Sequence, residues 1–279
     1  MPELPEVETM RRDLRKAVGH AAIERVEILD TKVIAGDAAA LIAGLAGRHI
    51  RVYDRRGKVL ILRLDDGNCL LLHPRMTGRF LLLQPGDELS RHARLVLHLA
   101  GGRRVVFDDS RRFGRVELLS GGDEDNGALL CRIGPDATVC DAQRLQEVAQ
   151  RRRTPVKVLL LDQRVLAGVG NIYASEICYR CGLDPRTPSN ALRPLEVRQL
   201  AAETEAVLAE GIALRGTTIS DYRTMGGASG GFQKRLAVYG REGEACSRES
   251  CGGTVQRIVL AGRSTYYCNR CQRRGRRRR

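Results

Sequence analysis

The chain opens with Met1-Pro-Glu-Leu-Pro-Glu-Val-Glu-Thr9, a stretch that predicts a buried helix starting a few residues from the N-terminus. Pro5 suits the first turn of a helix, because its missing N–H has no partner there, and Glu6 and Glu8 complement the positive end of the helix dipole. Apolar residues follow at helical spacing and predict one buried face: Leu4, Val7, Met10, Leu14 and Val18. A packed helix of this kind would hold the start of the chain in a fixed position.

The second residue adds a chemical possibility to this helix start. Removal of Met1 is favoured before a small residue, so we expect the mature chain to begin with the secondary amine of Pro2. An α-amino group titrates near ~8, so a sizeable fraction is nucleophilic at neutral pH. Such an amine can attack a sugar carbon and form an iminium, and the adjacent Glu3 can move protons. From composition alone a plain helix start is the commoner interpretation, and the two are compatible.

Length and charge indicate a soluble, intracellular protein with a polyanionic partner. The 279 residues are enough for a good core and for two domains. A formal net charge of +14 and a pI of about 9.8 point to nucleic acid, with a membrane surface as the competing explanation. No apolar run reaches transmembrane length and no signal peptide is visible, so a membrane role is not expected.

The cysteines favour a metal site over disulfides, because nine is an odd number in a chain without a secretion signal. The last four lie in two short-spaced pairs with sixteen residues between the pairs: Cys246 and Cys251, then Cys268 and Cys271. This spacing fits a tetrahedral structural zinc ion held by four thiolates. Residues 254–260 and 264–267 would form the intervening hairpin, which has little core without the metal. The pair Cys178 and Cys181 lies in a predicted helix without a second pair and is interpreted as packing.

Secondary-structure patterns change along the chain. Turn signals at 65–68 and 101–102 separate short apolar runs, and many short strands without helices predict a sandwich or a barrel. The predicted strands are 23–29, 49–54, 58–64, 68–73, 80–83, 94–99, 103–107 and 115–119, with a short helix over 36–46. Residues 120–127 predict a loop near a domain boundary, and 224–231 is glycine-rich. After the loop at 120–127, helices are predicted at 143–151, 155–161, 172–180 and 195–214.

Three segments together resemble the formamidopyrimidine-DNA glycosylase family, the bacterial enzymes that excise oxidised purines. They are the N-terminal nine residues, the run Leu161-Asp-Gln-Arg-Val-Leu-Ala-Gly-Val-Gly-Asn-Ile-Tyr-Ala-Ser-Glu176, and Arg263-Ser-Thr-Tyr-Tyr-Cys-Asn-Arg-Cys-Gln272. The resemblance implies an α+β fold of two domains: an N-terminal β-sandwich with flanking helices, then a helical domain with a helix-two-turn-helix and a zinc ribbon. DNA would lie in a basic cleft between them. The expected boundaries are 1–125, 126–236, 237–271 and a disordered basic tail over 272–279.

The resemblance also assigns roles to individual residues. Pro2 would be the nucleophile, Glu3 and Lys58 would assist proton transfer, and Arg263 on the hairpin turn would grip phosphates flanking the lesion. DNA contacts fall to His92, Arg111, Arg152, Asn171, Met76 and Phe113, of which Met76, Arg111 and Phe113 would fill the hole left by a flipped base. Lys157 is expected to continue the basic surface, and residues 215–231 resemble a lid over the everted base.

The sequence departs from the family pattern at three places. The first zinc pair is C-x₄-C, where the family usually has C-x₂-C, so the first knuckle should differ in shape. Pro74 replaces a usual Leu, and Arg94 stands where the family often has a second His.

The resemblance implies a bifunctional glycosylase and AP lyase of base excision repair. It would remove 8-oxoguanine opposite cytosine and ring-opened purines through a Pro2 Schiff base, then cut the strand by β,δ-elimination. One structural zinc ion, damaged double-stranded DNA as partner, a monomeric state and a cytoplasmic, nucleoid-associated location follow from the same reading.

Two alternatives stay open at this point. A sister enzyme for oxidised pyrimidines would share Pro2, Glu3, Lys58 and the finger. A non-catalytic zinc-containing protein that binds damaged DNA would explain the charge and the cysteines, but not Pro2 and Glu3. In each case the arginine tail is expected to add salt-dependent affinity.

Overall fold

The short apolar runs of residues 23–119 form two β-sheets, as predicted. The chain is described by a computed structural model over residues 1–121, 124–219 and 222–273. Nine strands lie within residues 23–119: β1 (Ile23–Ile28), β2 (Ile34–Ala35), β3 (Ile50–Arg56), β4 (Val59–Leu64), β5 (Cys69–His73), β6 (Arg79–Leu83), β7 (Ala93–Leu99), β8 (Arg104–Asp108) and β9 (Arg115–Leu119). Every predicted strand is present within two residues at each end, and β2 is an additional strand.

The two sheets pack face to face around one core. One has the strand order β1-β7-β8-β6 and the other β2-β9-β5-β4-β3, and all neighbours are antiparallel except β2 and β9. Successive residues of a strand point to opposite faces of its sheet, so every second residue of β4 and β5 faces this core. The buried core includes Leu60, Leu62, Leu70 and Leu72 from one sheet and Leu95, Leu97, Val105 and Phe107 from the other. This confirms the predicted β-sandwich.

Two helices flank the sandwich. The first, α1 (Leu4–Val18), buries Leu4, Val7, Met10, Leu14 and Val18, which is the face that the sequence predicts. Burying each such side chain stabilises the fold by roughly 1.5–3 kcal/mol, so the helix is firmly attached. The second, α2 (Ala38–Leu45), begins at Asp37, whose side chain accepts the N–H of Ala39 and caps the helix.

The second part of the chain is helical and ends in a ribbon. Its helices are α3 (Ala142–Gln150), α4 (Val156–Leu161), α5 (Asn171–Arg180) and α6 (Pro194–Ala213), each within two residues of the prediction. Strands β10 (Val255–Leu260) and β11 (Arg263–Cys268) pair in antiparallel register through a two-residue turn at Ala261 and Gly262. Both turn residues have positive φ, which is the conformation of the tight hairpin turns.

Contacts divide the chain into two units. The first contains residues 1–133 and 214–233, and the second contains residues 134–213 and the chain from residue 234 onward. Segment 214–233, which the sequence placed with the helices, therefore groups with the sandwich. The predicted boundaries after residues 125 and 236 stay predictions. No described helix is long and apolar enough to cross a membrane.

The predicted tail needs a correction at its start. Gln272 is buried, its side chain accepts the N–H of Cys268 at 2.7 Å and donates to the Leu183 carbonyl at 2.8 Å, and Arg273 N–H donates to the Gly182 carbonyl at 2.9 Å. Residues 272 and 273 are thus part of the ribbon. Residues 274–279, the rest of the predicted tail, lie outside the described residues.

Candidate functional site

The N-terminus of the first unit is held by a buried carboxylate. Pro2 is buried, and Glu3 and Glu6 are each 2% exposed. The backbone N–H of Glu3 donates to Glu6 Oε2 at 2.8 Å, as part of a capping box at the start of α1. This bond fixes the backbone next to Pro2. Sequence reasoning assigned Glu6 only to the helix dipole, although a Glu three residues after a polar residue at a helix start is part of the signal for such a box.

The same carboxylate also holds a second segment of this unit. Glu6 Oε1 accepts the N–H of Thr217 at 2.6 Å. Gly216 packs against it with φ +85°, and an added Cβ would lie 2.7 Å from Glu6 Oε1. Only glycine meets both conditions, because other residues avoid this φ and carry the Cβ. Glu6 thus connects the N-terminal backbone to the start of the segment predicted as a lid.

Asp13 holds that segment at its first residue and at an internal residue. Its carboxylate accepts two hydrogen bonds from Arg215 Nη2, at 2.7 and 3.0 Å, and one from the N–H of Met225 at 3.2 Å. Residues 220–221 of the predicted lid lie outside the described residues. The lid's contacts with a base stay a prediction.

Lys58 lies at the turn between β3 and β4, as predicted. Arg56 pairs with Val59, so Gly57 and Lys58 form a two-residue turn, with Gly57 at φ +56°. The Lys58 side chain is only 6% exposed.

Burial and the positive charges of Arg75 and Lys58 lower the pKa of nearby His73 to about 3, so His73 is neutral at physiological pH. Sequence reasoning did not select His73.

The three side chains predicted to enter the DNA stack lie on two loops that are bonded to each other. Met76 follows β5, and Arg111 and Phe113 follow β8. Met76 is 37% exposed and Phe113 is 49% exposed, and the Arg111 guanidinium lies 4.9 Å from the centre of the Phe113 ring. The sequence weighed a buried role for Met76 and Phe113, and the structure does not bury them.

Two hydrogen bonds join the loops that carry these side chains. Thr77 hydrogen-bonds to Asp109, a residue with no exposed surface, and the backbone N–H of Arg111 donates to Thr77 Oγ1 at 3.1 Å. Asp109 Oδ2 accepts the N–H of Gly114 at 2.7 Å. The loop after β5 is therefore fixed to the loop after β8, which sequence reasoning did not find.

His92 lies beside the same loop, because its carbonyl accepts the N–H of Asp109 at 2.9 Å. Arg94 is bound to other groups of the protein: its Nε donates to the Asp109 carbonyl at 2.8 Å, and its guanidinium lies 3.9 Å from the Asp30 carboxylate. Hydrogen bonding to Arg112, against the effect of burial, lowers the pKa of Asp30 and keeps it charged. The phosphate contact of His92 stays a prediction.

The second unit joins the turn before α5 to the ribbon hairpin. Asn171 is the first residue of α5, and its Nδ2 donates to the Ser264 carbonyl at 3.0 Å. Lys157 Nζ donates to the Ser264 carbonyl at 3.2 Å and to Thr265 Oγ1 at 2.8 Å. Lys157 is 1% exposed, so the expectation that it continues a basic surface was wrong: the ammonium group cross-links the hairpin instead.

The other two predicted cations of this unit differ in their partners. Arg263 begins β11 directly after the hairpin turn and is exposed. Arg152 Nη1 donates to Asp162 Oδ2 at 2.8 Å. Asp162 also binds Arg164, and hydrogen bonds from Arg164 and Arg152 hold its pKa well below the usual range. The DNA contact of Arg152 stays a prediction.

The last four cysteines form the predicted site for one structural zinc ion. Their sulfur atoms all lie within 4.8 Å of one another, with 3.8 Å between Cys246 and Cys271 and 3.6 Å between Cys251 and Cys268. A tetrahedral ion with Zn–S bonds of about 2.3 Å requires sulfur atoms about 3.8 Å apart. The donor set therefore fits zinc. Cys178, completely buried in α5, is a packing residue as interpreted.

The two extra residues of the first knuckle give it its own attachment to α5. Arg248 Nη2 donates to the carbonyls of Tyr179 and Arg180, at 2.5 and 2.9 Å, and its guanidinium lies 4.8 Å from the centre of the Tyr179 ring. The Tyr179 hydroxyl lies 3.1 Å from Ser247 Oγ and 3.4 Å from Cys246 Sγ. A cation at a helix C-terminus satisfies carbonyls that lack a partner in the helix.

Comparisons with known families match three successive parts of the chain. The model described as "Formamidopyrimidine-DNA glycosylase N-terminal domain" matches residues 1–116, "Formamidopyrimidine-DNA glycosylase H2TH domain" matches 133–223, and "Zinc finger found in FPG and IleRS" matches 243–274.

Full-length relatives and solved structures agree with these matches. Formamidopyrimidine-DNA glycosylase of Paracoccus denitrificans is 42% identical over 98% of this chain and all of its own length, and that of Moorella thermoacetica is 44% identical over 92% of this chain and 94% of its own. The Fpg mutant G226P of Lactococcus lactis, solved with DNA containing Fapy-dG, has a TM-score of 0.92 and 33% identity. That similarity covers 98% of this chain and all of the solved one.

Proposed function

Because the chain belongs to the formamidopyrimidine-DNA glycosylase family, and is therefore a DNA glycosylase of base excision repair, we propose that it removes oxidised purines with Pro2 as its nucleophile. The observation that carries this proposal is the fixed N-terminus: buried Glu3 follows Pro2 directly, and the Glu6 carboxylate accepts the backbone N–H of Glu3 at 2.8 Å. Met1, which is 50% exposed, must be removed to free the Pro2 amine.

The reaction follows from these groups. The Pro2 nitrogen attacks C1′ of the everted nucleotide, the bond from C1′ to the base breaks, and the base leaves with its electron pair and takes the proton that the attacking amine loses. Glu3 donates a proton to the ring oxygen as the sugar opens, which leaves an iminium between C1′ and Pro2. Loss of a C2′ proton breaks the C3′–O bond, and a second elimination breaks the C5′–O bond. Lys58 assists proton transfer beside the sugar-phosphate.

The remaining predicted residues would bind and bend the duplex. Met76, Arg111 and Phe113 are exposed on two linked loops and would fill the space left by the everted nucleotide. His92, Arg152, Asn171 and Arg263 would hold phosphates. Zinc, when bound, would stabilise the ribbon that carries Arg263, and it has no chemical step.

The preferred lesions would be 8-oxoguanine opposite cytosine and ring-opened purines. The L. lactis protein was solved with DNA containing Fapy-dG and, in a separate complex, with DNA containing an abasic site. We propose that this chain accepts the same two classes of site and works in the bacterial cytoplasm, at the nucleoid.

The test is to incubate the purified protein with duplexes that carry either 8-oxoguanine opposite cytosine or an oxidised pyrimidine, in the presence of borohydride. We expect a cross-link on the 8-oxoguanine duplex that mass spectrometry maps to Pro2. A stronger reaction with the oxidised pyrimidine would overturn the lesion preference. A correctly processed protein that binds the lesion without a cross-link would overturn the proposed nucleophile.

A further inference from the structure

Three arginines of the first unit have a positive φ, and two of them have an evident structural reason. The residues are Arg75 (φ 54°), Arg112 (φ 60°) and Arg215 (φ 59°). This left-handed conformation favours glycine, because the side chain of any other residue crowds the following carbonyl. Arg112 Nε lies 2.5 Å from buried Asp30, and Arg215 donates two hydrogen bonds to Asp13. Their ion pairs offset the unfavourable backbone.

Arg75 has no such compensation. Within the described residues, no carboxylate lies within ion-pair distance of its guanidinium, and its one hydrogen bond is from its backbone N–H to His73 Nδ1 at 3.0 Å. Its electrostatic surroundings are positive as well. Burial and the charge of Arg115 lower the pKa of Arg75, and the charges of Arg75 and Lys58 both act on His73.

The loop that carries Arg75 cannot relax easily. The carbonyl of Pro74 accepts the N–H of Gly78 at 2.9 Å, and a Cβ on Gly78 would lie 2.5 Å from that oxygen. Thr77 is fixed to buried Asp109. A strained arginine in a rigid loop, among other cations and without an anion, indicates a site arranged for an anion that the ligand supplies.

We propose that Arg75 binds a backbone phosphate of the damaged duplex beside the point where Met76 enters the stack. This inference rests on the proposed function and adds a residue to it. The guanidinium matches phosphate oxygens with two parallel N–H donors, which a lysine does not reproduce. Binding of the phosphate would offset the positive charge that Arg75 places beside Arg115.

The test uses Arg75→Gly, because glycine accepts the backbone conformation and should fold at least as well as the wild type. Affinity is measured for a duplex with a stable tetrahydrofuran abasic-site analogue over a range of salt concentrations, so no chemical step is involved. We expect binding about tenfold weaker near physiological salt. The slope of log affinity against log salt should fall by roughly one.

Two further variants make the result specific. Arg75→Lys should keep the salt slope but bind more weakly than the wild type, since it retains the charge and loses the fork. Arg48→Ala removes one positive charge from an exposed residue that already pairs with Asp66 at 3.1 Å, and it should bind nearly as the wild type does.

The proposal is overturned if Arg75→Gly binds the duplex with the affinity and the salt slope of the wild type. It is also overturned if Arg48→Ala is weakened as much as Arg75→Gly, because the loss would then reflect only the removal of one positive charge. Failure of the proposed function is recognised separately, because the wild type would then give no Pro2 cross-link or would not bind the abasic duplex. Unfolding midpoints of all variants are measured alongside, and a midpoint of Arg75→Gly well below the wild type would overturn the claim that its backbone is strained.

Discussion

Asn171 Nδ2 donates a hydrogen bond of 3.0 Å to the carbonyl of Ser264, the residue that follows Arg263. This bond connects the first turn of α5 to the first residues of β11. It therefore fixes the backbone positions of Asn171 and Arg263, both predicted to bind phosphates, relative to each other. The amide nitrogen carries two N–H groups. One is used for Ser264, and the second can donate to a phosphate.

Replacing Asn171 by Ala should therefore weaken DNA binding and loosen the hairpin together. We expect affinity for an abasic-site duplex to fall roughly ten- to a hundredfold, because a hydrogen bond to a charged acceptor contributes about 1.5–3 kcal/mol. The measurement is a binding titration at fixed salt. Asn190→Ala, on an exposed residue before α6, is the control, and equal affinities for the two variants would contradict the assigned role.

Replacing Glu6 by Gln should slow the chemical step more than it affects binding. Glu6 accepts N–H groups from Glu3 and Thr217, and the amide of Gln can accept only one of them well. A small displacement of the nucleophile is costly, so we expect roughly tenfold slower borohydride trapping with a nearly unchanged Kd for the abasic duplex.

The matched control is Glu8→Gln, because Glu8 lies on the same helix but pairs with Arg11 and Arg12. Its trapping rate should stay near that of the wild type. If Glu6→Gln traps as fast as the wild type, the carboxylate does not position the N-terminus.

His73 should make the protein less stable in mild acid. Burial and neighbouring cations lower its pKa to about 3, whereas an unfolded histidine titrates near ~6.5. Between these values the unfolded state binds more protons than the folded state, so stability rises with pH and is lost as pH falls from about 6.5 toward about 3. From pH 7 to pH 5 the contribution is about 2 kcal/mol.

The measurement is the free energy of unfolding at both pH values for the wild type, His73→Gln and His20→Gln. His73→Gln should lose about 2 kcal/mol less than the wild type on acidification. His20 is exposed, and its variant should follow the wild type. Identical pH dependence in all three proteins would show that His73 is not held neutral.

Arg248→Ala should weaken the zinc ribbon. The change removes two hydrogen bonds to carbonyls at the end of α5 and the contact with the Tyr179 ring, interactions worth about 1–3 kcal/mol together. Zinc release to a chromogenic chelator should be about tenfold faster than in the wild type. Arg270→Ala, an exposed arginine in the second knuckle, should release zinc at the wild-type rate. Equal rates for both variants would show that the longer knuckle is not attached through Arg248.

The sequence by itself determined the elements and the zinc ligands. Short apolar runs between turn signals predicted the strands, the face from Leu4 to Val18 predicted α1, and the paired spacing of Cys246, Cys251, Cys268 and Cys271 predicted the metal site. These features depend on local periodicity or on short spacing, so they can be read along the chain. The resemblance to the family supplied the predicted roles of Pro2, Lys58 and Asn171, which local chemistry alone left open.

Only the tertiary structure decided which charged groups are structural and which are available. Lys157 and Arg94 are cations of the kind that bind DNA phosphates, yet both have partners within the protein. Lys157 is buried against Thr265, and Arg94 donates to the Asp109 carbonyl. Arg75 has the same side chain as Arg94 and no anionic partner among the described residues. Charge on a side chain is a local property, but its pairing and burial depend on residues far away in the chain, and these decide whether the charge is left for DNA.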